Sequence, residues 1–141
     1  MKFIIKNIKW VMLVSGALTS TMFYGLFAPV AALQSMFGAS FNGTLESIVV
    51  RSWSALLGLV GVMLIYGAFS EKNRVFAISI ASISKAIFVS LVPLYGTEYL
   101  GKVTPVIAMD CVVVFLTVVF LIAVHIQRSA AQPDSRGDAP R

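Results

Sequence analysis

The chain has 141 residues, 58% hydrophobic and only 12% charged, with a mean hydropathy of +0.90. Soluble domains carry about 25% charged residues, so an ordinary soluble domain is excluded and one unit of four membrane spans fits the length. The net charge of +5 sits at the ends of apolar runs, with no patch to track a phosphate backbone, which excludes nucleic acid as a partner.

Met1–Lys9 carries Lys2, Lys6 and Lys9 ahead of an apolar run, Trp10–Ala32. A basic start before an apolar stretch imitates a signal peptide, but at about 23 residues the run exceeds the ~7–15 of a signal h-region. It reads as an uncleaved first span, residues 10–32, with Pro29 near its outer end. Ser15/Thr19 and Gly16/Ser20 supply small i,i+4 pairs for helix packing. Gln34–Thr44 reads as a short connector whose Phe37 and Phe41 rest in the membrane interface, with Asn42 or Thr44 as the next cap and Glu46 in the first turn. The match of Asn42-Gly43-Thr44 to a glycosylation acceptor abuts the membrane and reads as chance.

The second span, residues 45–69, organises the rest. Ser47, Arg51, Ser54, Gly58 and Gly61 follow at steps of four, three, four and three, which puts them on one narrow helical stripe. Small residues there let neighbouring backbones approach closely, and the arginine points into the bundle. The polar turn Ser70–Arg74 then forces an antiparallel neighbour. The third span, 75–95, carries Ser82, Ala86 and Ser90 on one seam with Lys85 beside it, and ends at Pro93 and Gly96. After a polar loop, Thr97–Val103, Thr104-Pro105 reads as the cap and first turn of the fourth span, 105–126. Residues 1–126 thus form a single four-span domain. From Gln127 no apolar period remains, so 127–141 reads as a disordered cytoplasmic tail; its Arg136-Gly137-Asp138 triplet reads as coincidence. Lone Cys111 and lone His125 give no disulfide and no metal site, and no cofactor is expected.

With four spans, Lys2, Lys6, Lys9, Lys72, Arg74, Arg128, Arg136 and Arg141 share one side, against Lys102 on the other. That bias predicts both termini in the cytoplasm. Trp10 and Tyr66 then mark the inner interface, and Tyr95 and Tyr99 the outer one.

Three ionisable residues fall inside spans, where each costs at least ~2.5–3.5 kcal/mol. Arg51 and Asp110 lie ~9 and ~8 Å below the outer starts of their helices, and Lys85 lies ~15 Å from the inner end of its own. An Arg51–Asp110 pair is therefore plausible in depth, with Lys85 reaching towards either. Two cations against one carboxylate leave a surplus positive charge, which Glu46, loss of the Lys85 proton, or an anionic ligand or lipid headgroup would balance. Ion pairs that fix helix order, a ligand site and a proton relay are the open readings. Thr19, Tyr24, Ser54 and Thr117 can add hydrogen bonds or serve as packing groups.

The run Arg51-Ser52-Trp53-Ser54-Ala55-Leu56-Leu57-Gly58-Leu59-Val60-Gly61, with Ser84-Lys85-Ala86-Ile87-Phe88 and Asp110, resembles the small four-helix bacterial proteins grouped as DoxX-like and BphX-like. The resemblance spans roughly residues 10–126. It implies an all-α, four-helix transmembrane bundle in the bacterial cytoplasmic (inner) membrane, with antiparallel neighbours. Some DoxX-like members are associated with quinone-linked oxidation of sulfur compounds.

No carboxylate pair, His/Cys set or glycine-rich phosphate loop points to catalysis, so the chain reads as a non-enzyme. The leading expectation is an intramembrane polar cavity lined by Arg51, Lys85 and Asp110, with Glu46 nearby, binding a small anionic or quinone-like ligand. Alternatively the protein serves as an accessory subunit of a membrane enzyme. A proton-coupled exporter using Asp110 is a second reading. A structural or assembly role, through a membrane partner or a second copy docked on the small-residue stripe, is a third. Membrane lipids are expected around it in every case.

Overall fold

The computed structural model describes residues 2–130, which form helices joined by short connections with no strand among them. Helix α1 (Lys2–Ser20) passes through one tightened 3₁₀ turn (Thr21–Phe23) into α2 (Tyr24–Phe27). The backbone stays right-handed helical across the join, so Asn7–Phe27 forms one apolar segment long enough to cross a membrane. Thr21 Oγ1 donates to the Leu18 carbonyl at 2.6 Å, a back-bond suited to such a tightening.

The first span then breaks earlier than the composition suggests. Ala28 leaves helical geometry at φ −127°, ψ 67°, and Pro29 opens a separate helix, α3 (Pro29–Phe37). Proline lacks the N–H that would continue the preceding helix, but its fixed φ suits a first helical position. Gly38, at φ 71°, closes α3 in the left-handed conformation that glycine adopts without strain. The break at Ala28 thus falls inside the expected span 10–32, and α3 runs four residues, Gln34 to Phe37, into the expected connector.

Helix α4 (Thr44–Phe69) starts where expected, although its cap is Gly43 and neither Asn42 nor Thr44. Glu46 stands third in the helix, with its carboxylate folded over Gly43 so closely that a Cβ there would collide with it. Only Ser70 separates α4 from α5 (Glu71–Tyr95). Pro93 sits inside the last turn of α5 and does not end it. A 3₁₀ turn (Thr97–Tyr99) leads into α6 (Leu100–Ala130). Thr104 is therefore no cap: its hydroxyl back-bonds to the Leu100 carbonyl one turn inside the helix. Residues 127–130, expected in the tail, are helical; the rest of that tail lies outside the described residues.

The four long segments pack in a ring, α1 on α4, α4 on α5, α5 on α6 and α6 back on α1. Small residues permit the tightest of these contacts. A Cβ on Gly61 would lie 2.7 Å from the Gly16 carbonyl oxygen, and one on Gly58 2.6 Å from the Phe23 ring. One end of the ring is filled by Ile8, Met12, Leu64, Ile78 and Phe120. At that end Lys9 lies 4.6 Å over the Phe69 ring, and Arg74 donates to the Ala68 carbonyl at 3.2 Å. The outer surface is apolar as well, with Leu56, Leu59, Phe115 and Ile122 all exposed. Four helical segments are long and apolar enough to span a membrane, and such an outward face is what lipid, unlike water, accommodates.

Candidate functional site

Away from the apolar plug, the helices line a half-open cavity of about 510 Å³, inside the ~300–1,000 Å³ range of small-molecule sites. Every long segment contributes a wall. Thr19 and Met22 come from the first span, Trp53 and Leu57 from α4, Phe88 and Leu91 from α5. Pro105, Val106 and Met109 come from α6, and Met36 reaches in from α3. The walls are mostly apolar, and the polarity is concentrated at one place.

That place is the Lys85–Asp110 ion pair. Lys85 Nζ donates to Asp110 Oδ1, and the two residues are only 8% and 4% exposed. Their pairing follows from the ring: α5 and α6 are neighbours, and the spacing of Lys85 from Ser84 and Phe88 keeps all three on the cavity side. Burying either charge alone is costly, whereas a bonded pair offsets much of that cost through its short-range attraction. The pair carries no net charge. Lys85 retains N–H donors beyond the one given to Asp110, and the second Asp110 oxygen has no hydrogen bond among the described residues. A donor and an acceptor therefore stand side by side on an apolar wall.

Arg51 and Glu46 are not part of this site. Helix α4 turns its small-residue stripe towards α1 and α2, where Gly58 meets Phe23 and Ser54 meets Gly25. Arg51 shares that stripe, so it faces the first span while Asp110 lies across the ring. Its Nη1 donates to the Leu26 carbonyl, and its Nε to Ser47 Oγ at 3.3 Å. Leu26 stands just before the Ala28–Pro29 break, where helical carbonyls lose their usual partners. The guanidinium thus satisfies the broken helix, and the Arg51–Asp110 pair expected from depth alone does not form. Glu46 is exposed over the start of α4. Of the stripe, Ser54, Gly58 and Gly61 are buried, and Ser47 is half-buried.

Other polar residues fall in varied places. Tyr24 is exposed, and Thr117 back-bonds to the Val113 carbonyl at 2.8 Å. Ser15 and Ser82 are buried with no partner for their hydroxyls among the described residues; Ser82 is one turn from Lys85, and Ser15 one turn from Thr19.

The aromatic wall was not evident from the sequence. Phe37, expected in the interface, packs its ring 6.3 Å from Trp53, 6.4 Å from Phe88 and 5.7 Å from Tyr99. Trp53 and Phe88 are cavity residues, so α3 braces the wall through this cluster. The one available signal was Lys85 and Phe88 at i,i+3, a polar and an aromatic residue on one helical face. Comparison with protein-family models, curated proteins and solved structures finds no match for the chain.

Proposed function

We propose that this chain is a multi-pass protein of the bacterial cytoplasmic membrane, with both termini inside and antiparallel helix neighbours, whose cavity binds a small quinone-like molecule. The protein is not itself an enzyme on this reading; it holds or presents the ligand, as an accessory subunit of a membrane enzyme would. The observation that carries the reading is the Lys85–Asp110 pair set in a mostly apolar and aromatic cavity of about 510 Å³.

The charge balance selects among ligands. An anion would need a surplus cation at the site, and Arg51 is engaged elsewhere. A neutral molecule with a carbonyl or hydroxyl on a flat apolar body matches the donor, the acceptor and the Trp53 and Phe88 rings together. The anionic alternative is correspondingly disfavoured.

Purification in native-lipid particles, followed by mass spectrometry of bound small molecules, tests this. A stoichiometric neutral carbonyl or phenolic compound should accompany the natural chain and be absent from the Lys85→Met/Asp110→Asn double variant, which leaves no orphan charge. Recovery of lipid alone from both, with a partner polypeptide retained, would assign the pair to assembly.

A further inference from the structure

We infer that the cavity takes an apolar aldehyde and holds it as a reversible protonated imine on Lys85, with Asp110 as proton relay and counter-ion. This rests on the reading that the cavity binds a neutral, flat carbonyl compound, and takes that compound to be an aldehyde in place of a quinone. Lys85 supplies the only amine among the cavity residues, and its nitrogen is already bonded to a carboxylate. An aldehyde carbon bears a single substituent, so it can reach an amine recessed to 8% exposure. Leu57 and Val60 form an apolar wall for the remainder of the molecule, and Ile87 and Leu91, about half exposed on the apolar outer face, extend it; apolar surroundings restrict the water that would hydrolyse an imine.

The chemistry closes on these two groups. The ammonium of Lys85 passes one proton to Asp110, and the free amine attacks the aldehyde carbon. A C–N bond forms, the C=O π bond opens, and the proton left on nitrogen moves to the oxygen. Asp110 then returns its proton to that hydroxyl, the C–O bond breaks and water leaves. The nitrogen lone pair closes the C=N bond. The net change is ammonium plus aldehyde to iminium plus water, with Asp110 again a carboxylate beside the cation. In a low-dielectric wall such a counter-ion stabilises the iminium as it did the ammonium.

The test uses the full chain in detergent with trans-cinnamaldehyde and cyanoborohydride, which reduces the iminium and fixes the adduct, followed by peptide mass mapping. A preferential adduct on Lys85 is expected, suppressed by cinnamyl alcohol, which has the same shape and no carbonyl. The exposed Lys72 and Lys102 serve as internal references that the alcohol does not protect. Lys85→Arg keeps the charge pair and should lose that adduct alone. In parallel, a Trp10→Phe chain reports binding through Trp53 fluorescence. Saturable quenching by both compounds without an adduct preferring Lys85 would overturn the imine and leave the cavity reading intact. No saturable quenching and no preferential adduct would overturn both.

Discussion

At the scale of single residues, the buried pair and the peripheral arginine behave differently although each is a charge within an apolar segment. Asp110 is 4% exposed and depends on Lys85 for its partner. Lys85→Met should therefore destabilise the protein by about 3–5 kcal/mol, because an unpaired buried carboxylate remains. The Lys85→Met/Asp110→Asn double variant should recover most of that loss. Denaturant titration in micelles, followed by circular dichroism, measures both, and equal losses in the two variants would contradict the buried-pair description. Arg51 is exposed and bonds a carbonyl at the helix break. Its replacement by Met should cost only about 1 kcal/mol, given solvent screening, and should leave ligand binding unchanged. Reduced occupancy by a cavity ligand in Arg51→Met would return the guanidinium to the site.

At the scale of elements, the glycines of α4 set how closely the first span can lie. The two positions differ in what their neighbours can do. Next to Gly58 stands the Phe23 ring, which can rotate; next to Gly61 stand the backbones of Gly16 and Ser20, which cannot. Gly61→Ala should thus lower stability by about 1–3 kcal/mol as an overpacking strain, and Gly58→Ala by less. The same titration ranks them, and a reversed order would show that α1 is free to move away. This close packing was legible beforehand because steps of three and four are a direct signature of one helical face. The break at Ala28–Pro29 was harder to place. Proline marks irregularity without saying whether a span bends or ends, and Val30-Ala31-Ala32 continued the apolar run. The start of α6 was misplaced for a related reason: Thr104-Pro105 has the composition of a cap, but Thr104 is satisfied by its own helix through Leu100.

At the scale of the whole molecule, the ring order decides which charges meet. Depth along each helix could be counted from the rise per residue, and it placed Arg51 level with Asp110. Rotation about each axis and helix adjacency could not be counted, and these pair Asp110 with Lys85. Likewise, the cavity is assembled from side chains on separate elements, so Trp53 and Met36 carried no local signal and Phe88 only its i,i+3 spacing from Lys85. The excess of Lys and Arg at one end predicts a topology that can be checked separately. In a Cys111→Ser background, Ser40→Cys should react with an impermeant maleimide on intact cells, and Lys72→Cys only after lysis. The reverse pattern would invert the protein. On the proposed function, the cavity binds a neutral, flat, apolar molecule at the Lys85–Asp110 pair. Fluorescence titration of the Trp10→Phe chain with a short-chain benzoquinone measures this most directly, since Trp53 is then the sole tryptophan and lines the cavity. Quenching should saturate at one quinone per chain and lose its saturable part in the Lys85→Met/Asp110→Asn background. Quenching that rises without saturation and is identical in both proteins would mean that the quinone only partitions into the micelle, and that the pair serves architecture alone.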